Sequence, residues 1–495
     1  MMKMSKKLLS LLLCAVMVPG SVAVGGGGFA EVLDAFSVKA SAASYSDGTG
    51  SNDGWADSTH IRFGSYPQTD VTSSMGSTLN SKASGWKSYK YYSGTGEEAD
   101  GQMSSADYMM YCDVTVMNGS VPEKYRGVKF STYRPCWTED ASTTSADTQQ
   151  DDNGYTVGNT YWFKYEPLVW RVLDSSTGLV MCESIIDSQA YNNYIWYGVG
   201  SKSTLSEYYG NEAHTNYAND YYNSSIRKWL TEDFYATAFS ESQQNKLLKY
   251  NCDNSCPWDS SFDSQNSSDK VFLLSYDEVK NTEYGFNSDE YEYDPARRAK
   301  GTDYAKCQGL YVYKSSGSEY DGNSWWLLRS PYDGSYYACG VDRDGDSSGD
   351  SHGGYYVDDS YRGVRPALKL NLTSDIFQSD VKTASAQTVD YRSIVTITAT
   401  ATNVPDDCKL AIYLGSQKVA EGNNKSVSYE YGEIKSDINY TVKVIDANGK
   451  VQKDSNENEL SKDGGKITCN AGFFKKLIAF FKGLFNLLPK VEVKP

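Results

Sequence analysis

Apolar and polar positions along this chain mostly change over in short runs, not in long helical stripes. The runs at 168–173, 179–182 and 271–274 are apolar and bounded by Ser, Gly, Asp and Lys, which predicts strands. Helices are signalled between them. Asn223 or Ser224 caps the first, and Ile226, Trp229, Leu230 and Asp233 occupy positions i, i+3, i+4 and i+7 with three of the four apolar. Ser240 opens the second with Gln243 three residues on, a capping box ahead of Leu247 and Leu248. Ser275 and Glu278 repeat that device. Such elements do not alternate as in a Rossmann chain or a (β/α) barrel, and residues 61–373 are expected to form one α+β domain. The polar stretches 139–154 and 201–220 are expected to be surface loops, and no repeat period is present.

The pattern changes near 374–382. Strict alternation at 394–399, 410–414, 427–431 and 440–445, with turn residues between, predicts an all-β immunoglobulin-like sandwich over 381–468. Asn448-Gly449 is a hairpin signal, and Cys408 and Cys469 bracket the domain and could pair. Residues 473–488 then carry ten large apolar side chains, interrupted only by Lys475, Lys476, Lys482 and Asn486 among strongly polar types. This predicts a short amphipathic helix over 472–488, too short to span a bilayer. Such a helix lies in a membrane interface, enters a partner groove, or folds back on the sandwich.

At the other end, residues 1–42 read as an export signal, with Lys3, Lys6 and Lys7 before an apolar run and Ala40-Ser41-Ala42 as the cleavage site. Residues 43–60 are a flexible Ser/Gly/Asp-rich lead-in. The protein is therefore expected to be secreted or extracellular, with the tail helix retaining it at the cell surface. Composition narrows the partners. The chain carries 47 Lys and Arg against 63 Asp and Glu, a net charge of −16, which disfavours nucleic acid. Its 41 Tyr and 10 Trp against 16 Phe weight the aromatics toward rings with a polar handle, the kind used at wet recognition surfaces. Nine cysteines follow the leader, too sparse for a disulfide scaffold; Cys252 and Cys256 form a local bridge or remain two thiols. Zinc is disfavoured, because no CxxC pair exists and His60, His214 and His352 each stand alone.

Several strings carry a resemblance when taken in order: Phe63-Gly64-Ser65-Tyr66-Pro67-Gln68-Thr69, Trp170-Arg171-Val172-Leu173, Ser225-Ile226-Arg227-Lys228-Trp229-Leu230 with Phe234-Tyr235, and Val271-Phe272-Leu273-Leu274-Ser275. Trp325-Trp326-Leu327-Leu328-Arg329-Ser330-Pro331 and Gly363-Val364-Arg365-Pro366-Ala367-Leu368 complete the set. Over 61–372 the chain resembles the uncharacterised family called domain of unknown function 6273, which occurs in exported proteins of gut Firmicutes. The closing pair of strings is similar to the C-type-lectin-like fold shared by formylglycine-generating enzymes and ligand-display proteins. The resemblance implies a C-type-lectin-like domain followed by the sandwich and the helix. It brings no established activity, since folds do not fix functions.

Between the closing strings, residues 332–361 hold 7 Asp, 6 Tyr, 6 Gly and 5 Ser. In the resembled fold this stretch faces ligand, which makes Tyr332, Tyr336, Tyr337, Tyr355, Tyr356 and Tyr361 candidate contacts for an extracellular glycan or protein; the other reading is a set of solvated hairpin turns. Asp342, Asp344, Asp346 and Asp350 occupy positions 1, 3, 5 and 9 of a calcium-loop-like run, although Gly353 stands where a bidentate Glu is wanted. A simple acidic turn is the competing reading. Trp325, Trp326, Arg329 and Arg365 are expected as core packing with a structural ion pair. An exported enzyme, formylglycine-generating-like or carbohydrate-active, is the alternative to a non-catalytic binding protein; Cys307 and Cys339 are the thiols it could use.

Overall fold

The computed structural model describes residues 53–89, 109–119, 121–137, 149–192, 217–347, 354–372, 379–384, 386–453, 459–484 and 488–495. The leader expected at 1–42 and most of the lead-in lie outside them. The protein is mostly β, built from several sheets with few and short helices, so the α+β expectation overstated the helices.

The strand Thr160–Asp174 is the spine of a 10-stranded sheet. One of its edges takes Val121–Lys129 at its start and Leu179–Cys182 at its end, and the other takes His60–Asp70, all antiparallel. Ala367–Leu370 follows on Leu179–Cys182, then Val271–Phe272 on Ala367–Leu370. Gly64 lies within His60–Asp70 at φ +69, and a Cβ there would stand 2.5 Å from the Phe239 ring, so the close approach of helix end and sheet requires glycine.

Ser224 caps the helix Ser225–Trp229 by accepting from the Arg227 amide. A π turn, Leu230–Phe234, follows and adds one residue to the helical repeat. The buried face therefore runs Ile226, Trp229, Leu230 and Phe234, each at most 1% exposed, where unbroken α-periodicity called for Asp233. Ser240 and Gln243 form a full capping box, yet its helix ends at Gln244. Leu247–Leu248 is instead a short strand paired with Lys369 and Leu370, a long-range pairing that overrides the local helix signal. Two stretches expected as surface loops are partly core: Gln150 is 1% exposed, and Tyr217, Ala218, Asn219 and Asp220 are all buried. Residues 201–216 lie outside the described residues.

In the C-terminal half, Ile394–Thr402 alternates buried and open positions and pairs with Asp380–Lys382 and Ser426–Glu433. A second sheet runs Gln417–Glu421, Lys409–Leu414, Thr441–Ile445, Ser461–Asp463. Val395, Ile397, Leu410, Ile412, Val442 and Val444 share a core that takes nothing from the N-terminal half. Polar contacts link the halves, among them Arg62 to Asp406 at 3.1 Å and Ser58 to Asp407 at 2.6 Å.

Two expectations are corrected here. All nine cysteines that follow the leader are free thiols, so Cys408 does not pair with Cys469, nor Cys252 with Cys256. The sandwich also does not stop at 468, and the amphipathic helix is not a tail. The helix spans Phe473–Leu484, after which Lys490–Val493 returns as a strand parallel to Ile394–Ile397 and buries Val493 completely in the sandwich core.

Candidate recognition surface

A second, 5-stranded sheet positions the stretch singled out in the sequence. Its order is Asp187–Ser188, Gly363–Val364, Trp326–Pro331, Tyr337–Val341, Tyr355–Tyr356. Trp326–Pro331 and Tyr337–Val341 form a hairpin, and Tyr355–Tyr356 closes the edge antiparallel to it. The strings behind the resemblance turn out to supply its struts. Arg329 is 1% exposed and binds Glu278 through two guanidinium nitrogens, at 2.6 and 2.8 Å, while also donating to the Leu273 carbonyl. Glu278 in turn accepts from the Ser275 amide, completing the cap read in the sequence. Arg365 donates to the Cys182 and Arg297 carbonyls, and the Trp326 indole to Arg297 as well. Arg329, Arg365 and Trp326 thus each satisfy a buried backbone carbonyl, as a close-packed interior requires.

Register decides which tyrosines reach solvent. Tyr337 lies opposite Tyr356 and Ala338 opposite Tyr355, and directly opposed residues share a face of a sheet. Tyr356 is accordingly 38% exposed and Tyr355 only 1%. Tyr336 joins the outer pair, with ring centroids 4.5 Å from Tyr337 and 6.0 Å from Tyr356, the latter two planes within 5° of parallel. Tyr337 and Tyr356 close the trio at 4.9 Å. Burial and hydrogen bonds among these phenols push the Tyr337 phenol up.

The turn that carries the trio is clamped from below. Asn219 has no exposed surface, and its side-chain amide donates to the carbonyls of Tyr332, Gly334 and Tyr337 at 3.1, 2.6 and 2.9 Å. Nothing in the sequence marks Asn219 for this task, because its partners lie more than a hundred positions away.

The remaining candidate tyrosines separate. Tyr355 is a core residue, not a contact: its ring carries the Arg362 guanidinium at 3.9 Å and its hydroxyl donates to Asp342 at 3.3 Å. Tyr332 packs on Trp258 at 4.3 Å, and Trp258, itself 43% exposed, also touches Tyr276. Tyr361 belongs to a third cluster with Trp137, Trp325 and Arg362. Trp325 packs against the core only in part. It is half-buried and stacked on Tyr311 at 4.1 Å with planes 10° apart.

Three of the four aspartates of the calcium-loop reading, Asp342, Asp344 and Asp346, lie in one turn. The Asp342 amide donates to the Asp346 carbonyl at 2.7 Å, and Gly345 to the Asp342 carbonyl at 3.0 Å, which closes a tight turn over 342–346. Gly345, at φ +95, lies so close to the Asp294 carbonyl that a Cβ would be 2.2 Å away. The Asp346 amide caps Asp344, and Arg298 takes the Asp344 carbonyl. Asp350 lies outside the described residues. Among the described residues no three His, Cys, Asp or Glu side chains gather into a group that could hold a metal. Burial, followed by the neighbouring Asp344 charge, raises the Asp342 carboxyl to about 6.

The two thiols open to an oxidase-like chemistry are each 1% exposed, and burial pushes both well above the ordinary thiol range. A buried thiol that resists ionisation is inert.

Among solved structures, fibronectin(III)-like modules of CbhA from Clostridium thermocellum are similar at 9% identity, over 19% of this chain and 94% of that one, with a TM-score of 0.14. No curated protein matches the chain. The strings at 63–69 and 170–173, whose strands pair in the 10-stranded sheet, precede the residues that match a family model. Residues 186–372, which contain both the 5-stranded sheet and the tyrosine trio, match the family model of a domain of unknown function, DUF6273.

Proposed function

We propose that this chain is an exported, non-catalytic binding protein. A C-type-lectin-like domain recognises an extracellular glycan or protein ligand, and the immunoglobulin-like sandwich acts as its spacer. The observation that carries the reading is the gathering of the Tyr336, Tyr337 and Tyr356 rings, with centroids 4.5 to 6.0 Å apart, at a sheet edge, mounted on a turn fixed by a buried amide. Three rigid amphipathic rings on a pre-ordered support bind with little loss of side-chain freedom. The export signal read at 1–42 supports the location, and the acidic charge disfavours nucleic acid.

The test is a glycan and protein array probed with the chain lacking its leader, beside the triple variant Tyr336→Ser, Tyr337→Ser, Tyr356→Ser. Affinity for any ligand captured should drop at least about tenfold, since anchor rings commonly account for more than about 1 kcal/mol each. Undiminished binding by a folded triple variant would reduce the trio to scaffolding.

One observation favours the second reading, an exported carbohydrate-active enzyme. Asp342, raised to about 6, accepts at 3.3 Å from the hydroxyl of Tyr355, whose ring lies 6.3 Å from that of Trp325, and a perturbed carboxyl bonded to an aromatic cluster is a candidate acid. Polysaccharide hydrolysis by the chain that is lost in Asp342→Asn would favour it.

A further inference from the structure

The helix Phe473–Leu484 is mounted with its apolar side outward. Its residues turn about 100° each, which sets Phe473, Phe474, Leu477, Ile478, Phe480 and Phe481 within an arc of about 160°. Those six side chains are 76, 75, 45, 50, 56 and 54% exposed. On the opposite arc Ala479 is buried at 5%, Lys475 binds Asp390 at 2.8 Å, and Lys476 lies over the Tyr391 ring. Small and cationic residues thus meet the sandwich, and the phenylalanines meet solvent. A helix folded back for stability would show the reverse.

The mount is firm at both ends. Ile467–Asn470 leads into the helix while paired with Gln387–Asp390, and Lys490–Val493 leaves it paired with Ile394–Ile397. The helix is therefore braced against the sandwich along its small and cationic side, with its apolar side left outward.

We propose that this helix is a membrane-docking wedge that seats the sandwich on an anionic lipid surface. Twelve residues rise only about 18 Å, against a hydrocarbon core of about 30 Å, so the helix lies in the interface plane. No helix among the described residues is long and apolar enough to cross a membrane. Lipid is favoured over a protein groove by chemistry. The outward arc offers no side-chain hydrogen-bonding atom, whereas protein interfaces carry about one hydrogen bond per 100–200 Å². Charge points the same way. The chain as a whole is at −16, but the helix has no acid, and beyond Lys475, which binds Asp390, it carries Lys476 and Lys482 as a local complement to the anionic headgroups that an apolar insertion meets. Lysines on the sandwich side of an inserted helix stand at headgroup level and can snorkel there.

The experiment is flotation of the full chain with vesicles of phosphatidylcholine, with and without phosphatidylglycerol. Wild type should float with the anionic vesicles. The variant Phe474→Ser, Leu477→Ser, Phe481→Ser should lose at least about tenfold in partitioning with its melting temperature unchanged, because each replaced side chain is already in solvent. Lys482→Gln should lose about fivefold on anionic vesicles and nothing on neutral ones. Wild type that stays off both vesicles overturns the proposal. So does a wild type that is dimeric by light scattering, becomes monomeric in the triple variant and ignores lipid, because the occupant of the face is then a second copy.

Discussion

Adjacent tyrosines at the edge of the 5-stranded sheet should respond in opposite ways to truncation. Tyr355 is 1% exposed, and truncating a buried aromatic side chain to Ala costs about 3–5 kcal/mol. Its ring also faces the Arg362 guanidinium at 3.9 Å, a contact worth about 0.5–2 kcal/mol when desolvated. Tyr355→Ala should therefore destabilise the N-terminal half by about 4 kcal/mol. Tyr356→Ser, one residue on and facing solvent, should cost no more than about 1 kcal/mol. The assay is urea unfolding followed by tryptophan fluorescence. All 10 Trp lie between Trp55 and Trp326 and none lies in the sandwich, so the signal reports one core of the two. With m of about 2–3 kcal/mol/M, the first variant should move the midpoint by more than about 1 M and the second by a few tenths. Similar shifts, or a larger one for Tyr356→Ser, would refute the register, since a slip by one residue exchanges the faces of the whole strand.

Two further perturbations test other parts of the structure. Burial holds the Asp187 carboxyl at about 6, above the roughly 3.9 of an unfolded chain, so between those values the native state keeps a proton that the unfolded state has released. Its contribution makes stability fall as pH rises from about 4 to about 6. Asp187→Asn should flatten that fall in urea titrations across the window, and an unchanged slope would reject the assignment. Stopping the chain after Leu488 removes the strand that buries Val493, and circular dichroism should show the sandwich melting at a lower temperature or not forming. An unaltered sandwich transition would make that strand ornamental.

What the sequence disclosed was local. Ser224, Ser240 with Gln243, and Ser275 with Glu278 all cap as read, because a cap depends on residues three positions apart. The strand runs at 394–399 and 427–431 were likewise visible, since one buried face imprints a period of two. What stayed hidden depended on distant partners or on a single-residue shift. Leu247–Leu248 became a strand through Leu370, and the π turn replaced Asp233 by Phe234 on the buried face. The composition of 332–361 carries no register, so it offered Tyr355 and Tyr356 as equals. Lys490–Val493 escaped notice because a short parallel strand beyond a helix has no local signature, and the free cysteines because spacing alone cannot show distance.

The clamp by Asn219 has an evolutionary corollary. Its three bonds go to main-chain carbonyls, a feature every residue type provides, and the register of Tyr337 and Tyr356 is likewise set by backbone pairing. The bonds that hold the support are therefore independent of which side chains stand at 336, 337 and 356, although Tyr336 also packs against the core. On the proposed function, a surface built this way is a mounting plate: new specificities can be explored at its outward positions by point substitution, while the selective burden of keeping the fold rests on residues beneath it. A library randomised at those three positions should accordingly yield mostly folded proteins, and one randomised at 219 mostly unfolded ones.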